Sequence, residues 1–234
     1  MRHELREGLP PLPARMLSLA VDERGYPVPY FVAWVDGKPD HRIMDAQKLP
    51  AAVKRGLCWM CGQQVGKFKS FCIGPMCSIT RTISEPPSHL ECLRFAVRAC
   101  PWMTRPHAKR RDIGLPSEAV FEGHGIKRNP GAVCIWTTLH YKVFKSSGAG
   151  MLFELGNAEH TEWYANGKPA TRAEVDTSIN TGLPILFESA QREDEIKGND
   201  LAMTELKRRI ASEKAWLDRQ VWPEEGGANE HTNA

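Results

Sequence analysis

Residue patterning predicts an α+β chain: an antiparallel sheet, a cysteine-rich module inserted near its middle, and an amphipathic helix towards the C-terminus. Three observations carry that expectation. Runs rich in β-branched and aromatic residues, "YFVAWV", "AVCIWTTLHYKVF" and "GMLFELG", recur between turn residues, as strands do. All but one of the 7 cysteines fall between Cys58 and Cys100. The segment "NDLAMTELKRRIASEKAWLDRQVW" sets Met203, Leu206, Ile210 and Leu217 on one helical stripe.

The 234 residues are 41% apolar and 25% charged, an ordinary composition for a globular protein that buries a core. No apolar run approaches the roughly 20 residues needed to cross a bilayer. The opening stretch "MRHELREGLPPLPARM" mixes both charge signs with prolines and lacks the apolar centre of a secretory signal. The chain is therefore expected in the cytoplasm, where thiols stay reduced and clustered cysteines point to metal or catalysis before disulfides. Net charge is only +3, too little to announce a polyanion partner. It is unevenly spread: from Arg94 to Arg128 there are eight Lys or Arg against three Asp or Glu.

Taken in order, residues 1–24 read as an extended arm, with Pro10, Pro11 and Pro13 ahead of a possible short strand at "MLSLAV". Residues 25–190 form the expected single α+β domain. Asp36-Gly37 favours the left-handed turn of a hairpin, and "DAQKLPAAVKRG" makes a short helix or turn with Gly56 placed to end it. "RPHAKRRDIGLPSEAVFEGHGIKRNPG" is polar and rich in Gly and Pro, a long surface connection. A further strand then runs into a turn at Asn166-Gly167. Thr171 and Glu174 have capping-box spacing, and Gly182 stands where the following helix is expected to end. A C-terminal helix over 191–222 and a disordered tail over 223–234 complete the chain. The hairpin-like echo of "WVDGKP" in "WYANGKP" needs only shared turn chemistry.

The cysteines carry the chemistry. Cys58-Trp-Met-Cys61-Gly62 is a knuckle: two thiols separated by two residues point at one ion while the glycine lets the chain turn. Four-coordinate zinc needs two further ligands, and "SHLEC" offers His89 and Cys92. Ser88 is placed to cap a helix after two prolines, which sets both ligands in its first turns, where the helix dipole favours thiolate. Cys72 and Cys77, flanking "IGPM", are alternatives that either could take in place of His89. Cys100 shares a stripe with Leu93, Ala96 and Val97, and Cys134 lies in an apolar strand, so both read as small buried hydrophobes. A two-metal or iron–sulfur cluster is the minor alternative. Knuckle, intervening hairpin, then ligand-bearing helix is similar in topology to a treble-clef zinc module over about residues 58–100, within an expected zinc module of residues 56–104.

A Cys3His set suits structural zinc, because each thiolate drains Lewis acidity and no position stays open for water. The zinc-deaminase, H-E-x-x-H, Walker, G-x-G-x-x-G and G-x-S-x-G signatures are all missing. The elements "CWMCG", "GPMC", "EPPSHLEC" and "CPWMTRP", followed by "RNPG" and "GKPATRAEV", resemble those of an uncharacterised bacterial and phage protein family over roughly residues 28–190. That resemblance transfers no activity and identifies no functional residue.

Three functions follow as expectations. The first is nucleic-acid binding through Arg105, Lys109, Arg110, Arg111, Lys127 and Arg128, with Trp102 or His107 stacking on an unpaired base. The second is a phage-type adaptor or inhibitor that meets a protein partner along the C-terminal helix. The third is a Cys/His-dependent hydrolase or nuclease-like enzyme. Its candidates are Cys77 with His89 as base, Glu85 and Glu91 nearby, and His124 and His140.

Overall fold

The computed structural model describes residues 3–105, 108–109, 129–146 and 150–224. In chain order, a 3-10 turn at Ala14–Met16 precedes β1 (Val32–Val35), β2 (Lys38–Met44), α1 (Lys48–Arg55), β3 (Lys69–Ile73), α2 (Pro75–Thr80) and β4 (Thr82–Ile83). Then come α3 (Leu90–Ala99), α4 (Pro101–Thr104), β5 (Ala132–Thr138), β6 (Tyr141–Ser146), β7 (Gly150–Leu155), β8 (Ala158–Ala165), β9 (Lys168–Pro169), α5 (Arg172–Lys197) and α6 (Leu201–Leu217). The α+β class is as expected, but the strands fall into three antiparallel sheets rather than one: β1-β2, β3-β5-β8-β9 and β4-β7-β6.

β5 is the spine. Every residue from Ala132 to Thr138 is buried, because β3 and β8 pair with its two edges and helices cover both faces. Val133 and Ile135 point to the face covered by α3, while Cys134 and Trp136 point to the core beneath α2 and α5. A strand buried on both faces reads as a continuous apolar run, which is why "AVCIW" lacks alternation. "AVCIWTTLHYKVF" does not remain in one sheet. It breaks at Leu139-His140, where the Thr138 hydroxyl donates to the His140 carbonyl at 3.0 Å, and β6 joins the second sheet.

Local turn chemistry behaves as the sequence asks. Asp36 and Gly37 both take positive φ (50° and 76°), as do Asn166 and Gly167 (53° and 78°), so each pair closes a two-residue hairpin loop. The capping box at the start of α5 is present, with the Thr171 amide donating to Glu174 Oε2 at 2.8 Å.

Other expectations are corrected. "MLSLAV" is not a strand: the prolines lead into a 3-10 turn that buries Met16, and only an isolated Val21–Pro27 bridge follows. Gly182 does not end α5, which runs on to Lys197 and stops at Gly198 (φ 65°). Gly182 is needed for close approach to α2, since a methyl group there would sit 2.8 Å from Met76 Cγ. The expected boundary at 190/191 thus falls inside α5, and the terminal helix is Leu201–Leu217. Its stripe of Met203, Leu206, Ile210 and Leu217 packs on the chain's own core, so those side chains are already occupied. Most of the long connection, and the tail from residue 225, lie outside the described residues. No helix among the described residues is long and apolar enough to cross a membrane.

Candidate metal centre

Backbone bonds fold the knuckle before any side chain is considered. The Cys58 amide donates to the Gln63 carbonyl at 2.7 Å, the Gly62 amide returns to the Cys58 carbonyl at 2.8 Å, and Leu57 bridges Gln64. Gly62 takes φ 73°, packed against the Tyr30 ring. The Trp59 amide donates to the Pro87 carbonyl at 3.1 Å, fastening the knuckle to the segment that enters α3. Ser88, the expected cap, instead exchanges two backbone bonds with Ser70 beside β3, at 2.7 and 3.1 Å. His89 takes the N-cap position (φ −73°, ψ 147°), leaving Cys92 in the first turn of α3.

The result brings together Cys58, Cys61, His89 and Cys92. All four are buried, and their ligand atoms lie within 4.8 Å of one another. A tetrahedron with zinc's usual bond lengths has edges of about 3.8 Å between sulfurs and about 3.6 Å between sulfur and nitrogen. His89 Nδ1 stands 3.4 Å from Cys61 Sγ and 3.8 Å from Cys92 Sγ. Its other ring nitrogen, Nε2, lies 3.1 Å from the Gln64 carbonyl; donating there leaves the Nδ1 lone pair for an ion. Amides of Cys61 and His89 both donate to Cys58 Sγ at 3.4 Å. Donor chemistry, burial and spacing fit a structural Cys3His zinc site, with no side chain left over for an open position.

Electrostatics give the same reading. Hydrogen bonds from the Cys61 and Cys92 thiols, then from the two amides, hold the Cys58 thiol far below its usual range against the cost of burial. The same sharing holds Cys61 and Cys92 above theirs. Thiolate ligands must be deprotonated to bind, and a dication among three buried thiols is what would favour their ionised form.

The alternative ligands stand elsewhere. Cys72 is in β3 and Cys77 in α2, neither in the cluster, and all seven cysteines are free. Burial pushes the Cys77 thiol up to about 11, and His89 faces Cys61 and Cys92 rather than Cys77, so the proposed nucleophile and base are not paired. Burial likewise raises Cys100 and Cys134. Glu91 is ion-paired with Arg15 at 2.8 Å, Glu85 and His140 are exposed, and His124 lies outside the described residues. Of the basic candidates, Arg105 and Lys109 are exposed; Arg110, Arg111, Lys127 and Arg128, with His107, lie outside the described residues. The segment between knuckle and α3 is strand–helix–strand, with β3 and β4 in different sheets. The hairpin expected there is therefore absent.

Two polar clusters escaped the sequence reading. Buried Asp22 accepts from the amides of Arg24 (2.9 Å) and Tyr26 (2.8 Å) and from the Arg24 guanidinium (2.9 Å). His41 Nε2 stands 3.2 Å from the same carboxylate. Burial opposes ionisation of Asp22, but these donors outweigh it and hold its carboxyl below the ordinary range; burial also lowers His41, against the pull of the Asp22 carboxylate. "DERGY" carries the local signal, an Asp able to bond the amides that follow it. The second cluster ties α3 to β8: Glu162 accepts from Arg94 (Nε, 3.0 Å) and Tyr164 (2.8 Å) and stands 2.7 Å from His160. Burial raises its carboxyl, yet these partners win and hold it at about 2. The i, i+2, i+4 spacing of His160, Glu162 and Tyr164 marks one strand face, though nothing local names Arg94 as the fourth member.

No family model, curated protein or solved structure matches this chain.

Proposed function

We propose that this is a zinc-stabilised binding protein that contacts nucleic acid along the outer face of α3 and the basic segment beyond it. One observation carries the reading. Arg98 lies on the exposed side of the helix whose first turn belongs to the Cys3His cluster, one turn from Arg94 and in one depression with Arg15, whose charges are met by Glu162 and Glu91 respectively. Arg105 and Lys109, further along the chain, are both exposed. Among the described residues, no carboxylate stands within ion-pair distance of Arg98, Arg105 or Lys109. Arginines on a rigid helix flanked by more basic chain are the makings of salt-dependent phosphate binding. The expected family kinship with phage proteins is compatible with this role and adds nothing to it.

The test is fluorescence anisotropy with single- and double-stranded DNA and RNA over a salt series, on wild type and on Arg98→Ala/Arg105→Ala/Lys109→Ala. Binding that weakens about tenfold or more in the triple variant, with a salt slope shallower by about 0.7–0.9 per lost phosphate contact, supports the reading. Equal retention by both proteins, or no retention of any probe at low salt, removes it.

A further inference from the structure

β6 is the long open edge of the two larger sheets. β4 and β9 are two residues each, and β3 is met at Ser70 by Ser88. β6 pairs with β7 from Tyr141 to Ser146, and among the described residues no strand pairs with its other side. The direction of its backbone follows from β7. The Leu155 amide, opposite Tyr141, donates to the Arg81 carbonyl at 2.8 Å, and the Gly156 amide, next along, donates to the His140 carbonyl at 3.0 Å. Backbone groups alternate between the two sides of a strand, so odd-numbered residues of β7 serve β4 and even-numbered ones serve β6. Lys142 and Phe144, opposite Glu154 and Leu152, therefore belong to the ladder. Tyr141, Val143 and Lys145 turn their N–H and C=O groups outward.

The side chains at this edge are apolar on both faces. Val143 shares a face with buried Phe153 and Leu155 yet is 41% exposed, and Phe144 is 40% exposed on the opposite face, beside Leu152. Lys142 and Lys145 flank the pair, both exposed. Lys142 reaches Glu154 only at 3.7 Å with its side chain 82% exposed, and Lys145 has no ion pair among the described residues. Edge lysines keep copies of a chain apart. A second β6 laid antiparallel, Val143 opposite Val143, sets Lys142 diagonally across from its own copy, a like-charge contact. The same lysines attract an acidic strand.

We propose that β6 captures an extended acidic segment of a partner protein as a further antiparallel strand. Outward amides and carbonyls at Val143 and Lys145 supply the main-chain bonds. Apolar side chains of the segment meet Val143 and Phe144, and acids on either side of them meet Lys142 and Lys145. The site uses no residue of the α3 face.

Fluorescence anisotropy is measured with the labelled peptides Thr-Glu-Val-Val-Glu-Thr and Thr-Lys-Val-Val-Lys-Thr, titrated with the zinc-loaded full chain. The expected result is saturable binding of the glutamate peptide, with the lysine peptide weaker by about tenfold or more. Val143→Pro removes an amide that points away from β7, so the chain folds but binds the glutamate peptide about tenfold or more weakly. Lys142→Glu/Lys145→Glu reverses the preference between the peptides. Should Val143→Pro fail to show wild-type circular dichroism and melting, the glutamate peptide N-methylated at its second valine, whose amide faces β6, decides by the same loss. No binding of the glutamate peptide at millimolar concentration overturns the proposal. So does equal affinity for the two peptides, a preference that charge reversal leaves unchanged, or binding that survives loss of the amide. A wild-type dimer in sedimentation velocity that Val143→Pro makes monomeric assigns the edge to a second copy, and overturns it too.

Discussion

Gly56 and Gly62 bracket the first half of the knuckle, both in the left-handed region (φ 62° and 73°), and differ in one respect. A methyl group at Gly56 meets nothing within 4 Å, whereas one at Gly62 sits 2.8 Å from Tyr30 Cδ2 and 3.1 Å from Cγ. Alanine at either position takes a strain of roughly 1–2 kcal/mol, partly offset by about 0.4–1 kcal/mol from a less free unfolded chain. Gly56→Ala should therefore cost about 1 kcal/mol. At Gly62 the ring has little room to retreat, because the Tyr30 amide is bonded to the Met60 carbonyl at 2.7 Å. Overpacking adds roughly 1–3 kcal/mol, for a total of about 2–4 kcal/mol. Urea denaturation in saturating zinc, followed by far-ultraviolet circular dichroism, measures both variants against wild type. Equal losses in the two variants would refute the reasoning, since only packing against Tyr30 distinguishes them.

Protein purified without added metal should carry one zinc per chain, and Cys58→Ser and His89→Ala should each lose or loosen it together with melting stability; undiminished zinc in His89→Ala would break the ligand assignment. Asp194→Ala should cost about 1–2 kcal/mol by urea denaturation, because this buried residue of α5 accepts from the amides of Ala202 and Met203 (2.8 and 2.9 Å) and so caps α6. Asp200→Ala, at an N-cap position whose side chain makes no capping bond, is the near-neutral control. Glu162 has a folded-state pKa depressed to about 2 from an ordinary 4.5, so its stabilisation is present above pH 4.5 and drains away as pH falls towards 2. Half-exposed Arg94 screens much of that, leaving about 1 kcal/mol lost in Glu162→Gln at pH 7. The deficit should narrow below pH 4.5 in denaturation curves, and a constant deficit counts against the ion pair.

What the sequence discloses is what neighbouring residues decide among themselves. Asp36-Gly37, Asn166-Gly167 and the Thr171–Glu174 box each act within four residues, and each behaves as read. The four metal ligands were legible because tetrahedral zinc imposes a spacing on each pair. Sheet membership was not legible: β3 meets β5 across some sixty residues, and nothing in "KSFCI" chooses that partner over β4. Gly182 misled for a related reason, since its use comes from Met76 on another helix rather than from the end of its own. The Asp22, Arg24 and His41 cluster joins the arm to the β1–β2 hairpin, so no single stretch of chain announces it.

The two-faced burial of β5 has a practical consequence for anyone watching this protein lose its metal. The sheet at that point is a single partition, with the Cys3His side pressed on Val133 and Ile135 and the opposite side on Trp136, which lies 5.4 Å from Trp216 and 4.0 Å beneath the Arg81 guanidinium. A disturbance that shifts the partition is transmitted through it, because alternate side chains hang from the same backbone. Of the 7 tryptophans, Trp59 stands in the knuckle itself while Trp136 and Trp216 lie across the partition, so an emission change on metal removal that persists in Trp59→Phe would report movement carried through β5.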